Sequence, residues 1–157
     1  MSTESGIRDF RGPDGVWTRD PEAEKRAFEA YARFTSDPSG FWKDTLTRPP
    51  AWIEYIETSQ PNAGHLALRQ LEEMGILKYT ITQNIDALHE KAGTRNLLEY
   101  HGNLFKLRCP NCSVRYQRED FDLARLLQTG SLPPRCKSCG GAVKPDVVYF
   151  GEPIPPD

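Results

Sequence analysis

The sequence has no long apolar run, and its first twenty residues, MSTESGIRDFRGPDGVWTRD, carry neither a basic start nor an apolar stretch. A spanning helix needs about 20 mostly apolar residues, and a secretory signal needs a basic start followed by an apolar segment. Neither a membrane partner nor export is therefore expected. An excess of one charge is missing as well: 20 Lys and Arg stand against 22 Asp and Glu, for a formal charge of -2. Nucleic acid and anionic membranes favour strongly basic surfaces, so nucleic acid is not an expected main partner. There is no internal repeat and no GxGxxG-like turn, so the usual first part of a diphosphate cradle is not seen. Histidine is limited to three residues and cysteine to four. Without an export signal, the cysteines are expected in a reducing, cytoplasmic compartment, where disulfides are rare.

What is present suits one ordinary domain of 157 residues, or one core with a small inserted module. Ser2 to Thr18 is small, polar and Gly/Pro-punctuated, and reads as an ordered loop anchored by Phe10, Val16 and Trp17. Asp20 as N-cap and Pro21 as first helical residue predict a helix to about Phe34, with Phe28, Tyr31 and Ala32 on one packed face. Ser36 to Ser59, with Trp42, Trp52, Pro49 and Pro50, suggests short helices joined by turns. Asn62 starts a further helix whose Ala67, Leu71 and Met74 share a face, with Gly75 placed to end it. Strand composition follows at Leu77 to Thr82, Leu97 to Tyr100, Leu104 to Leu107 and Asp146 to Phe150, and Glu119 to Gln128 reads as a helix stopped by Gly130. Helix followed by strand is an α/β signature.

All four cysteines lie between Lys106 and Lys144, a stretch with eight basic residues against three acidic ones, and it reads as an inserted module. They form two CxxC pairs, Cys109 with Cys112 and Cys136 with Cys139, separated by twenty-three residues. Each CxxC turn puts two thiolates on one side of a metal, and zinc takes four such donors in a tetrahedron. Four thiolates close the coordination shell, so this zinc should be structural. The local basic excess is small and lacks an aromatic stacking run, so a solvated face is the better reading than nucleic-acid binding.

Gln83, Asn84, Ile85 and Asp86 follow directly on the LKYTIT strand. Hydrogen-bonding side chains at the carboxyl end of a strand are where α/β sheets hold ligands, and they suit a ribose or a carboxamide. The alternative is that Asn84 and Asp86 cap the next helix. Imidazole as a class titrates near 6.5, which makes histidine the best general base available. His65 opens a helix and reads as structural, His89 as packing, and His101, before Gly102 at a strand end, as the residue presented to a cleft.

Five segments carry a family resemblance: SGIRDFRG (Ser5 to Gly12), TQNIDALHEKAG (Thr82 to Gly93), YHG (Tyr100 to Gly102), the CxxC pairs and KPDVVYFGE (Lys144 to Glu152). In order and approximate spacing they resemble sirtuins, the silent-information-regulator-type NAD-dependent protein deacylases. The resemblance implies an α/β fold, a partial Rossmann-type parallel sheet with an inserted zinc-ribbon module. Residues 1–103 would form the NAD-binding region with its cofactor loop and helical segment, 104–144 the zinc ribbon, and 145–157 the return to the Rossmann-type region as a substrate strand. It further implies that NAD is the co-substrate and that an acylated lysine of a protein or peptide gives its acyl group to ADP-ribose. Gln83, Asn84, Ile85 and Asp86 would line the nicotinamide and ribose pocket. Ile7, Asp9, Phe10 and Arg11 would belong to the cofactor loop, and His101 would act as general base. Val147, Val148, Phe150, Gly151 and Glu152 would hold the substrate as an added strand. Protein ADP-ribosylation uses the same residues, and a non-catalytic zinc platform is the alternative from another class. Arg8 stands where the family usually has proline, which should loosen the loop. The family also places a Gly-Ala-Gly turn before STESG and a Gly-Thr-Ser turn beyond FGE. On that comparison the sequence is expected to be truncated at both ends.

Overall fold

A computed structural model describes residues 1–48 and 51–155, including the backbone but not the side chains of Ala51 and Trp52. Pro49, Pro50 and the Trp52 side chain, expected to mark turns, lie outside the described residues. A 3-10 turn at Ser2–Ser5 precedes helices α1 (Val16–Arg19), α2 (Pro21–Ser36), α3 (Pro38–Thr47), α4 (Ala51–Thr58) and α5 (Ala63–Glu73). Then come β1 (Thr80–Thr82), α6 (Leu88–Lys91), β2 (Leu97–Glu99), β3 (Gly102–Arg108), β4 (Arg115–Gln117), α7 (Leu123–Gln128) and β5 (Lys144–Val147). The chain divides into two compact units, residues 1–24 with 50–102 and residues 25–49 with 103–157. Helices α2 and α3 supply Phe34, Phe41 and Trp42 to a core shared with the cysteine-bearing segment.

In the first unit, β1, α6 and β2 form a short β-α-β run with parallel strands, Thr80 opposite Leu97 and Thr82 opposite Glu99. The strand expected from Leu77 begins only at Thr80. The Asn62 side chain accepts from the Gly64 and His65 amides, and His65 Nδ1 accepts from the Asn62 amide, a reciprocal box that opens α5. Gly75 ends the helix with φ +72. The expected Ala67, Leu71 and Met74 face is not packed, since Met74 is 68% exposed and Leu71 36%.

In the second unit, the sheet order is β4-β3-β5, with β3 and β4 antiparallel. Phe34, Phe41, Trp42, Leu107, Tyr116, Leu123 and Val143 form its core together with Cys109 and Cys136. Trp42 is fully buried and donates its indole N–H to the Val143 carbonyl at 2.7 Å, which satisfies the one polar atom of a large apolar side chain. The α2 face differs from expectation: Phe34 is buried, whereas Phe28 is half exposed and Ala32 is exposed. The helix expected from Glu119 begins later, because Asp122 caps α7 by accepting from the Arg125 amide. The last strand is likewise displaced toward the N-terminus, from Asp146–Phe150 to Lys144–Val147, since residues 149–152 turn back on themselves. Among the described residues, no helix is long and apolar enough to cross a membrane.

Two buried histidines give the first unit a pH dependence. The His65 and His89 rings meet edge-on with centroids 4.8 Å apart, and His65 Nε2 and His89 Nδ1 are buried without a hydrogen-bond partner among the described residues. Burial lowers both pKa values from 6.5. The unfolded chain therefore binds more protons than the folded one below that pH, and folding stability is present above about pH 6.5 and falls as the pH drops. Thermal melts between about pH 7 and pH 5 should show this slope, and replacing His89 with Gln should flatten it.

Candidate functional site

Parallel pairing of β1 with β2 puts both carboxyl ends on the same edge of the first unit. Thr82 leads there into Gln83, Asn84, Ile85 and Asp86, and Glu99 leads into Tyr100 and His101. The turn carrying His101 is closed by Gly102, whose φ of +80 is a conformation that side-chain-bearing residues rarely adopt. His101 Nδ1 lies 3.2 Å from the Gln83 carbonyl oxygen. A carbonyl can only accept, so Nδ1 carries the proton and Nε2 keeps a lone pair. The half-buried ring is thus oriented as a proton acceptor, with Tyr100 beside it at 5.4 Å.

Asp86 is 5% exposed and uses both oxygens: Oδ1 accepts from the Leu88 amide at 2.9 Å and Oδ2 from the Ser2 hydroxyl at 2.6 Å. The same Ser2 oxygen accepts from the Asn84 side-chain amide at 2.8 Å. Ala87 is the N-cap of α6 and no side chain caps it; Asp86 holds only the first helical amide, of Leu88, while Asn84 points to Ser2. Ala87, next in the chain, sits at φ +59, a left-handed conformation costing roughly 1–2 kcal/mol in a residue with a Cβ, at the turn that fixes Asp86. Ser2 carries almost no signal in the sequence. Its only signal was its place in STESG, because its partners lie more than eighty residues away.

The segment Ile7 to Arg11 forms a pinned loop. The Val16 and Trp17 amides donate to the Asp9 and Phe10 carbonyls at 2.9 Å. A Cβ on Gly15 would come within 2.6 Å of the Phe10 carbonyl, so only glycine permits that approach. Phe10 packs on Trp17 at 4.5 Å, and the Arg11 guanidinium lies over Trp17 at 4.6 Å while pairing with Glu24 at 2.8 Å. Arg8, in the place of proline, lies 5.7 Å over the Tyr55 ring. Half-buried Ile7 and exposed Asp9 line an open cleft of about 290 Å³.

In the second unit, the four cysteine sulfurs lie within 4.8 Å of one another, with Cys109 to Cys139 and Cys112 to Cys136 at 3.5 Å. None is in a disulfide. A zinc tetrathiolate with Zn–S near 2.3 Å has sulfur–sulfur edges of about 3.8 Å, so the donor set fits zinc. Backbone amides of Asn111 and Cys112 hydrogen-bond Cys109, and those of Ser138 and Cys139 hydrogen-bond Cys136. The Tyr116 hydroxyl, 3.1 Å from its sulfur, draws Cys136 down to about 5. Burial pushes Cys109 up to about 12, so a bound metal rather than bulk water would deprotonate it at neutral pH.

The segment matched to the substrate strand is braced from within. Lys144 is 1% exposed; its ammonium donates to the Val147 and Pro145 carbonyls at 2.8 and 3.2 Å and pairs with Glu152 at 3.0 Å. The other Glu152 oxygen accepts from the Tyr149 amide at 2.9 Å. Glu152 is thus spent on shaping its own turn, with Gly151 at φ +77 beside it. Val147 is buried in β5, Val148 is half-buried, and Phe150 is 45% exposed and stacked on Phe28 at 4.3 Å. A lysine held this far from water needs a carboxylate partner and further acceptors, and a single buried lysine leaves no pattern in sequence.

A family model described as Sir2 family matches residues 1–157. An NAD-dependent protein deacetylase of Caldivirga maquilingensis is 46% identical over 156 residues, 98% of this chain and 56% of that protein. An NAD-dependent protein deacylase of Pyrococcus furiosus is 43% identical, over 99% of this chain and 59% of its own length. The chain thus spans a little over half the length of these relatives. A solved Sir2 homolog–NAD complex is 40% identical with a TM-score of 0.67, over 99% of this chain and 56% of that one. A Sir2–p53 peptide–NAD complex is 34% identical with a TM-score of 0.64, over 98% and 57%.

Proposed function

The chain belongs to the Sir2 family, and from that premise we propose that it serves NAD-dependent removal of an acyl group from protein lysine. The observation that carries the reading is the shared edge of β1 and β2, where His101 is tautomer-locked by the Gln83 carbonyl and Ser2 ties Asn84 to Asp86. When bound, NAD supplies the ribose carbon that loses nicotinamide and becomes the acceptor of the acyl group.

In this reading Gln83, Asn84, Ile85 and Asp86 hold the nicotinamide and its ribose, and Ser2 sets the side-chain directions of Asn84 and Asp86. Ile7, Asp9, Phe10 and Arg11 cover the cofactor and limit water. His101 takes a proton from a ribose hydroxyl at Nε2, the nitrogen left with a lone pair. Val147, Val148, Phe150 and Gly151 belong to the segment that receives the substrate as an added strand, and Glu152 serves it by holding the turn. The zinc cysteines are structural, with 104–144 as the module they organise between the NAD-binding residues 1–103 and the substrate strand 145–157. The partner is an acylated protein or peptide rather than nucleic acid, and the compartment is the cytoplasm, where thiolates stay reduced.

The test is an assay of the protein, at the length its gene encodes, with NAD and an acetyl-lysine peptide. Nicotinamide and deacetylated peptide should appear in equal amounts. Nicotinamide release with ADP-ribose attached to protein would replace this reading by ADP-ribosyl transfer. Neither NAD binding nor nicotinamide release would leave only a zinc platform.

A further inference from the structure

Tyr116 is the central residue of β4, and strand alternation turns it inward while Arg115 and Gln117 face solvent. It is 9% exposed. Its backbone stands opposite Leu107 on β3, and its ring packs edge-on against Phe121 at 5.1 Å. Its hydroxyl reaches the second CxxC turn, twenty residues further along the chain, at Cys136, Lys137 and Ser138. The oxygen lies 3.1 Å from Cys136 Sγ and accepts from the Lys137 amide at 3.0 Å.

These contacts assign the hydroxyl proton. The Lys137 amide can only donate and the Ser138 hydroxyl also donates, so together they occupy the two lone pairs of the phenolic oxygen and leave its O–H to the sulfur. A tetrathiolate zinc site carries two net negative charges, and Cys136 is 4% exposed, so donors from the protein must offset that charge where water cannot. Backbone amides do this for each CxxC turn locally. Apart from the sulfur–sulfur contacts themselves, the Tyr116 hydroxyl is the contact described at these sulfurs that joins the turn of Cys136 and Cys139 to the hairpin that presents Cys109 and Cys112.

We propose that Tyr116 is a positioning residue of the zinc site, whose hydroxyl aims the Cys136 thiolate into the tetrahedron, ties the two CxxC turns together and slows loss of the metal. The inference rests on the zinc reading. Partners of this kind, one bond removed from the metal, are typically worth about 10- to 100-fold in affinity.

The test compares zinc-loaded wild-type protein with Tyr116→Phe, which removes only the hydroxyl, and with Tyr149→Phe, which deletes a hydroxyl from the same core but not the one beside Cys136. Zinc release to a chromophoric chelator should be about 10- to 100-fold faster in Tyr116→Phe and near wild type in Tyr149→Phe. In the cobalt-substituted proteins, the thiolate-to-metal charge-transfer band should move only in Tyr116→Phe, a signature that a general loss of packing would not give. A wild-type release rate in Tyr116→Phe, or equal effects in the two variants, overturns the proposal. The wild-type protein offers a reading independent of any variant's folding. Loaded with NMR-active cadmium, it should show the Tyr116 hydroxyl proton scalar-coupled to the metal through the Cys136 sulfur, and absence of that coupling also overturns the proposal. A wild-type protein that binds no zinc overturns the metal reading itself.

Discussion

Cys136→Ser should release the zinc and unfold the core around it, not merely loosen a peripheral loop. Cys109 and Cys136 are members of the same buried cluster as Phe34, Phe41, Trp42 and Leu107. Losing the metal would leave three thiols, one of them with its pKa raised to about 12 by burial, packed around an empty centre. Metal binding supplies folding energy on the order of 10 kcal/mol in small thiolate modules, comparable to the whole stability of a typical domain. The disturbance should therefore reach beyond Lys106 to Lys144 into α2 and α3, whose Phe34, Phe41 and Trp42 lose the wall they pack against. Elemental analysis should give one zinc per wild-type chain and none in Cys136→Ser. Near-ultraviolet circular dichroism should show the tryptophan and tyrosine signals of that core collapse in the variant. A wild-type protein free of zinc yet cooperatively folded would sink the assignment.

The zinc site was legible in sequence because a CxxC turn is a local rule, complete within four residues, and two of them leave few chemical alternatives. Asp20 with Pro21, Asn62 and Gly75 were legible for the same reason, each satisfying or ending a helix through its own neighbours. The faces of the helices were not. Periodicity says which of Ala67, Leu71 and Met74 lie together, but not what covers them, and here Met74 lies open with Ile76 and Ile81. Polar residues were harder still. Ser2, Tyr116 and Lys144 gain their meaning from partners brought by the fold, and a strand predicted from the apolar run Asp146 to Phe150 could not foresee that Lys144, a charged residue, is among the most buried in the chain. Glu152 shows the same limit. Its place in the segment matched to the substrate strand says nothing of its carboxylate, whose two oxygens are engaged by Lys144 and the Tyr149 amide.

His101→Ala should abolish deacylation while leaving NAD binding in place. The argument starts from the backbone: parallel strands end on one edge, so the carbonyl of Gln83 meets the ring of His101, and that contact fixes the proton on Nδ1. Nε2 is then the only basic atom the ring can present. Asn84 and Asp86, proposed to hold the cofactor, make none of their described hydrogen bonds to His101, being held by Ser2 and the Leu88 amide. Removing the imidazole should thus spare the binding pocket and remove a proton acceptor. A general base contributes typically 100- to 10,000-fold in rate, and the loss should fall on kcat rather than on NAD affinity measured by calorimetry. Some nicotinamide exchange should survive, because in the proposed scheme the base acts after the nicotinamide bond breaks. His65→Ala is the contrasting variant: His65 is fully buried and helps open α5, so its loss should lower stability and leave turnover per folded molecule nearly unchanged. If His101→Ala keeps more than about a tenth of wild-type turnover, less loss than the smallest effect expected of a general base, then the proton acceptor is another group and the assignment of His101 fails.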